Sequence, residues 1–139
     1  HGDCWEGLAS AVALRERWGA SPDALPAEHP AWPLEAAYLA RGLASVVAIL
    51  APRCIVLGGG VMRRPGLREA VRERLRALLG DYYVDLGTEG VGRRGDAPRG
   101  SAGAALERYL AAPALGGRAG VIGALALASD ALAVPRAPA

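Results

Sequence analysis

The chain has 139 residues, of which 52% are hydrophobic and 22% charged, a composition typical of one folded domain with one core. Its net charge of +2, with acidic and basic residues interspersed, is too weak for the basic stripe or patch typical of nucleic-acid binding, so we expect no nucleic-acid partner. The sequence has neither a run of about 18 uninterrupted apolar residues nor a secretory segment, so we expect a cytoplasmic protein without a membrane span.

The N-terminal segment predicts a short helix. From Glu6 to Trp18 the apolar residues recur at helical spacing, and Gly19 suits the C-terminal cap. The chain opens at His1 without an initiator methionine, and we interpret this opening as the interior of a longer protein. We therefore expect further elements upstream.

The middle of the chain predicts a strand between two helices. Residues 20–33 carry four prolines and are predicted to form a loop. A long apolar helix over 34–50 is predicted to follow this loop. The run 54–57 is typical of a short buried strand. It leads into Gly58–Gly60 and then into a helix over about 65–79, an order found where ligands bind at a sheet edge.

The last third predicts two short strands and a helix. The strand candidates are 82–86 and an edge strand over 109–112, with a glycine- and arginine-rich exposed loop between them. The apolar helix over 119–132 contains Gly120 and Gly123, which we attribute to close approach by a strand or ligand, or to close packing alone. These elements indicate an α/β domain with an incomplete sheet, since a typical sheet has about five strands.

The first four residues are a candidate for half of a metal site. His1 and Cys4 lie three residues apart in a Gly/Asp turn, and this spacing lets both side chains reach one zinc ion. A closed structural zinc site takes four nitrogen or sulfur ligands, so the partners would have to come from elsewhere. The alternative is a surface histidine beside an inert cysteine.

The glycine turn is a candidate binding platform. Gly58, Gly59 and Gly60, followed by Val61 and Met62, place backbone without side chains at the end of a strand. No Gly-Lys-Ser/Thr follows, and the third glycine of a dinucleotide motif is absent, so the segment matches neither pattern. An ordinary turn remains the alternative.

Glu6 offers a carboxylate at the start of the first predicted helix. The helix dipole favours a negative charge there, which explains the residue without any ligand. The side chain could also face a cleft.

Four motifs, in order and spacing, resemble those of ROK-family fructokinases. They are His1-Gly-Asp-Cys-Trp-Glu-Gly-Leu-Ala-Ser10, His29-Pro-Ala-Trp32, Ile55-Val-Leu-Gly-Gly-Gly-Val-Met62 and Ala119-Gly-Val-Ile-Gly-Ala-Leu-Ala-Leu-Ala128. The resemblance covers almost the whole chain except residues 87–108, which look longer than the family's connection at that point.

The resemblance implies an actin-like ATPase fold of the ribonuclease H-like kind. It makes this chain the C-terminal part of a kinase domain, with a mixed sheet and packed helices, incomplete without its N-terminal half. The implied parts are the end of a zinc loop with a first helix (1–19), a loop (20–33), a helix-strand-helix-strand core (34–86), an insertion (87–108) and a terminal strand and helix (109–139).

The resemblance also implies roles for the candidate residues. It makes His1 and Cys4 two ligands of a structural zinc ion and directs Glu6 to a sugar hydroxyl. The segment from Gly58 to Met62 becomes the adenosine side of an ATP site. The family's catalytic Asp and its first phosphate loop would precede His1, so no catalytic residue is assigned in this chain.

The implied activity is transfer of a phosphoryl group from ATP, with Mg²⁺, to a hexose, and fructose is the expected substrate. The expected partners are the upstream half of the protein and a second copy in a homodimer. Two alternatives stay open. One is a sugar-sensing ROK transcriptional repressor, and the other is a non-catalytic truncated remnant.

Overall fold

The computed structural model of the chain describes residues 2–80 and 107–133. Its helices and strands in chain order are α1 (Trp5–Leu8), α2 (Ala11–Trp18), α3 (Ala31–Leu50), β1 (Ile55–Val56), α4 (Leu67–Leu79), β2 (Leu110–Ala111) and α5 (Ala119–Ala133). His1, the predicted strand over 82–86 and residues 87–106 of the predicted insertion lie outside the described residues.

The single helix predicted over residues 6–18 was wrong, because the structure has two. The side chain of Ser10 accepts a hydrogen bond from the backbone N–H of Ala13 at 3.2 Å, and this N-cap begins α2. Such a cap satisfies a backbone donor that would otherwise lack a partner. The predicted stop at Gly19 is confirmed, with a left-handed φ of 70°.

The long helix α3 begins earlier than the sequence predicts. The backbone N–H of Ala31 donates to Nδ1 of His29 at 3.1 Å, so the imidazole satisfies the first backbone donor of the helix, whose first turn includes Ala31 to Pro33. Proline is tolerated in a first turn because its missing N–H has no intrahelical partner there. The predicted end at Leu50 is confirmed.

The main core lies between α3 and α4, which form the most extensive helix contact in the described part of the chain. The buried side chains of α4 recur every four residues: Leu67, Val71, Leu75 and Leu79. They pack against a stripe of α3 that includes Leu39, Leu43 and Val47. This spacing is the amphipathic pattern that the sequence predicts for a helix packed on a core.

Helix α3 is also long and apolar enough to cross a membrane, with 20 residues and a mean hydropathy of 1.4. Core helices of soluble proteins meet the same criterion. Its stripe of Leu39, Leu43 and Val47 is buried against α4, and the helix carries Glu35 and Arg41. Within this fold α3 is therefore a core helix.

The two strands form a small parallel sheet, with Ile55 opposite Leu110 and Val56 opposite Ala111. The predicted edge strand is confirmed in β2. The prediction of a fully buried first strand was wrong, because Val56 is 62% exposed. Ile55 packs against the α3–α4 core, whereas the face that carries Val56 is left open by the described residues.

The C-terminal helix α5 forms as the sequence predicts but stands largely exposed. Val121, Leu125, Leu127 and Leu132 are all at least 65% exposed. A Cβ added at Gly120 or Gly123 would meet no described atom within 4 Å. The described part of the protein therefore places no neighbour against these glycines, and a close approach by a strand or ligand stays a prediction.

Candidate functional site

The glycine turn directly follows β1 and approaches the segment after β2. A Cβ added at Gly58 would lie 2.6 Å from Cγ of Pro113, so only glycine fits there without a shift. Gly59 has a φ of 103°, a backbone conformation that side chains disfavour. The turn then tightens into a 3₁₀ helix over Val61–Arg63.

A small crevice opens beside this turn, with a volume of about 140 Å³. Gly60 and Val61 line one wall, and Asp23 lies on another. Arg63 and Arg64 add two positive charges. The crevice therefore combines bare backbone with cations and one carboxylate, a set of groups that can bind a phosphorylated ligand with hydroxyl groups.

Trp32, in the first turn of α3, also lines the crevice. Its indole Nε1 donates to the carbonyl oxygen of Pro26 at 2.7 Å, which fixes the ring. The guanidinium carbon of Arg64 lies 4.8 Å from the ring centroid, so the two planes form a cation–π contact. This contact ties the start of α3 to the segment that precedes α4.

The five predicted nucleotide residues divide between this crevice and the core. Gly60 and Val61 line the crevice, and Gly58 contacts the proline of the neighbouring segment. Met62 is buried in the α3–α4 core. Its side chain anchors the turn on the helices.

Cys4 and Glu6 lie together at the start of α1. The thiol of Cys4 caps this helix, because its Sγ accepts a hydrogen bond from the backbone N–H of Gly7 at 3.4 Å. Glu6 is exposed in the first turn. Among the described residues that line the crevice, neither of the two appears.

Helix α1 is held on α3 by Trp5. A Cβ added at Gly42 in the middle of α3 would overlap the indole of Trp5, so the ring lies directly on the bare backbone of that residue. Arg17 of α2 donates to the carbonyl oxygen of Leu8 at 3.1 Å. These two contacts orient the short segment that carries Cys4 and Glu6.

The described residues fit only part of a zinc site. Cysteine sulfur is a common zinc ligand, and Cys4 lies exposed at the start of α1. Residues 2–80 and 107–133 nevertheless contain no group of three or more His, Cys, Asp or Glu side chains that could hold a metal ion. His1 lies outside these ranges.

Glu35 is a buried carboxyl in the first part of α3. It is fully buried, and both carboxyl oxygens lack a hydrogen-bond partner among the described residues. Burial raises its pKa from 4.5 to about 7, while the positive charge of Arg17 lowers it in part. The sequence placed this residue on an apolar helix but gave no sign of its burial.

Six residues of the crevice were not among the sequence-predicted site residues, namely Pro22, Asp23, Trp32, Arg63, Arg64 and Pro65. Trp32 was part of a recognised motif, and Arg63 and Arg64 follow the glycine turn directly. The sequence signal that could have identified these residues was an aromatic residue in the predicted proline-rich loop, together with two adjacent arginines after the glycine turn. The contact between them depends on how α3 and α4 pack.

The chain is similar in sequence to known proteins along most of its length. A fructokinase of Zymomonas mobilis subsp. mobilis is 36% identical over 130 residues, which cover 92% of this chain and 37% of that protein. A fructokinase of Pediococcus pentosaceus is 31% identical over 132 residues, covering 95% of this chain and 40% of its own length. A fructokinase of Lactococcus lactis subsp. cremoris is 35% identical over 86 residues, 62% of this chain and 29% of that protein.

This chain thus spans about two fifths of the length of the relatives it matches most fully. The model of the ROK family matches residues 1–106, which is more than half of the chain. On this evidence the chain belongs to the ROK family.

Proposed function

We propose that the protein containing this chain is an ATP-dependent sugar kinase that converts fructose to fructose 6-phosphate. The observation that carries the proposal is the family match together with fructokinase-named relatives that align with more than nine tenths of the chain. In this proposal, residues 1–139 form the C-terminal portion of an actin-like kinase domain. The upstream portion completes the sheet and supplies the catalytic base.

The glycine turn and its crevice form the nucleotide side of the proposed site. Phosphoryl transfer depends mainly on positioning and on stabilising charge, because the protein performs little covalent chemistry itself. Gly58 to Gly60 let a nucleotide approach the backbone, and Arg63 offers a positive charge beside it. ATP and Mg²⁺ together supply the transferable phosphoryl group and the neutralising cation.

Glu6 forms the sugar side of the proposal. Its exposed carboxylate can accept hydrogen bonds from hexose hydroxyls, and the docking of α1 on α3 limits where that carboxylate can reach. The protein is proposed to be a cytoplasmic homodimer whose partners are a hexose and the upstream half of the same protein.

The proposal is tested with the full-length protein in a coupled assay of ATP-dependent phosphorylation. The substrates are fructose, glucose, mannose and N-acetylmannosamine, each with and without Mg²⁺. We expect fructose to give the highest kcat/KM and turnover to stop without Mg²⁺. Turnover of another sugar alone would reject fructose, and no turnover of any sugar would favour a sugar-sensing repressor or a remnant.

Cys4 is proposed to be a ligand of a structural zinc ion, together with His1 and upstream residues. We expect Cys4→Ser to lower the zinc content of the full-length protein from about one ion per chain to a small fraction, because a hydroxyl is a poor zinc ligand. Elemental analysis measures this directly. Cys54→Ser is the matched control, since Cys54 is another exposed cysteine, and equal zinc content in both variants would reject the role of Cys4.

A further inference from the structure

Two arginines of α4 reach the backbone of both strands. Arg68 and Arg72 lie four residues apart, so they are neighbours on the same face of the helix. Nη2 of Arg68 donates to the carbonyl oxygen of Leu57 at 3.4 Å. Arg72 donates twice to the carbonyl oxygen of Leu110, from Nη2 at 2.9 Å and from Nε at 3.2 Å. Because Leu57 directly follows β1 and Leu110 lies in β2, one helix holds both strands.

Both guanidinium groups are partly shielded from water. The side chain of Arg72 is 18% exposed, and Nε of Arg68 is buried. Nη1 of Arg72 lies 3.4 Å from Oε1 of Glu69, and its Nη2 also donates to the carbonyl oxygen of Glu107 at 3.5 Å. A hydrogen bond from a charged donor is stronger than one from a neutral donor, and it is stronger still where water is excluded.

The contacts of the two arginines continue into the glycine turn. The backbone N–H of Leu57 donates to the carbonyl oxygen of Ala111 at 2.9 Å, so Leu57 is held by β2 through its N–H and by Arg68 through its carbonyl oxygen. Gly58 follows directly and lies against Pro113, two residues after Ala111. The first residue of the turn is therefore fixed by β2 on one side and by α4 on the other.

We propose that Arg68 and Arg72 are positioning residues, which hold the glycine turn in the shape that binds the nucleotide without touching the nucleotide themselves. This inference rests on the proposed kinase function and extends it to two side chains of α4. Neither side chain lines the crevice beside the turn.

A run of three glycines needs such support from its neighbours. Glycine has the greatest backbone freedom of all residues, and Gly59 occupies a left-handed conformation with a φ of 103°. A binding loop that is ordered before the ligand arrives loses less conformational entropy on binding, so it binds more tightly. The fixed fork of the guanidinium of Arg72 suits it to hold one carbonyl oxygen with two donors.

The test removes the donors and keeps a long unbranched side chain. Arg68→Met and Arg72→Met are made in the full-length protein, and ADP binding is measured by calorimetry. We expect each variant to bind ADP at least about fivefold more weakly at an unchanged stoichiometry, because every molecule is folded but its turn is less ordered. Arg76→Met is the matched control, since Arg76 is exposed one turn farther along α4.

Hydrogen–deuterium exchange of the same variants locates the effect. We expect faster exchange over residues 55–62, which include the turn, and unchanged exchange over residues 34–47 of α3. Unchanged exchange over residues 55–62, or equal weakening of ADP binding in Arg76→Met, would mean that the two arginines do not act through the turn. An unchanged dissociation constant, with or without a lower stoichiometry, would mean that they only stabilise the fold.

Two outcomes separate this inference from the proposed function. If the unaltered protein binds no ADP, the turn is not a nucleotide site and the inference is refuted with it. If ADP binding weakens in Arg68→Met and Arg72→Met alone but the unaltered protein phosphorylates no sugar, the inference is upheld and the kinase is rejected. Should Arg72→Met fail to fold, Arg68→Met decides alone, since it removes a single hydrogen bond.

Discussion

Replacement of Glu35 by glutamine is expected to raise the free energy of unfolding at pH 8 by about 3 kcal/mol and to leave it nearly unchanged at pH 4. The carboxyl is fully buried, and its pKa in the folded protein is raised from 4.5 to about 7. Glutamine keeps the size of the side chain and removes its ionisation. The expected gain in the free energy of unfolding equals the free energy that the unaltered protein loses by burying a carboxylate.

The direction of the pH dependence follows from the two pKa values. Below pH 4.5 the carboxyl is protonated in the folded and the unfolded chain, so it contributes no penalty. Between pH 4.5 and about 7 the unfolded chain releases the proton while the folded chain keeps it, so the stability of the unaltered protein falls as pH rises. Above about 7 both states are ionised and the difference is constant.

Urea unfolding at a series of pH values, followed by circular dichroism, measures this effect. Glu16→Gln removes one carboxylate from the exposed face of α2 and corrects for the change in net charge. Parallel pH profiles for the unaltered protein and Glu35→Gln would contradict the prediction, since they would mean that the carboxyl ionises as it does in the unfolded chain.

With Glu6 in its proposed sugar-binding role, replacement of Gly42 by alanine is expected to raise the KM for the sugar by about tenfold or more in the full-length protein, because small displacements of a binding group have large effects. The new methyl group would occupy the space of the Trp5 indole. Trp5 is 39% exposed and can turn outwards, so α1 loses its anchor and carries Glu6 away from its position. Stability changes less, since alanine favours a helix over glycine by about 1 kcal/mol.

A double-mutant cycle distinguishes this mechanism from a general effect on α3. If Gly42→Ala acts by displacing Trp5, the pair Gly42→Ala and Trp5→Ala will raise the KM no more than Trp5→Ala alone. Gly117→Ala is the matched control, because a Cβ there meets open space in the described structure. Multiplicative effects of the two single changes, or an unaltered KM, would reject the contact as the cause.

The sequence alone predicted the elements that depend on short-range signals. The end of α3, the glycine turn, the helix α4 and the short strand β2 were all confirmed, since caps and hydrophobic periodicity act within a few residues. The error over residues 6–18 also has a local cause. The hydroxyl of Ser10 caps the start of α2, so the chain forms two helices where the apolar spacing alone predicts one. The four motifs predicted the family, which the comparison confirmed.

Packing over long sequence distances decided the candidate site. Trp32 and Arg64 meet only because α3 and α4 lie against each other, and Trp5 reaches Gly42 only because α1 folds back on α3. Burial of Glu35 has the same origin, since an acidic residue on an amphipathic helix is placed inside or outside by its neighbours and not by its own propensity. The sequence by itself therefore determined the local elements and the family, whereas the tertiary structure decided which side chains meet around the crevice and which are buried.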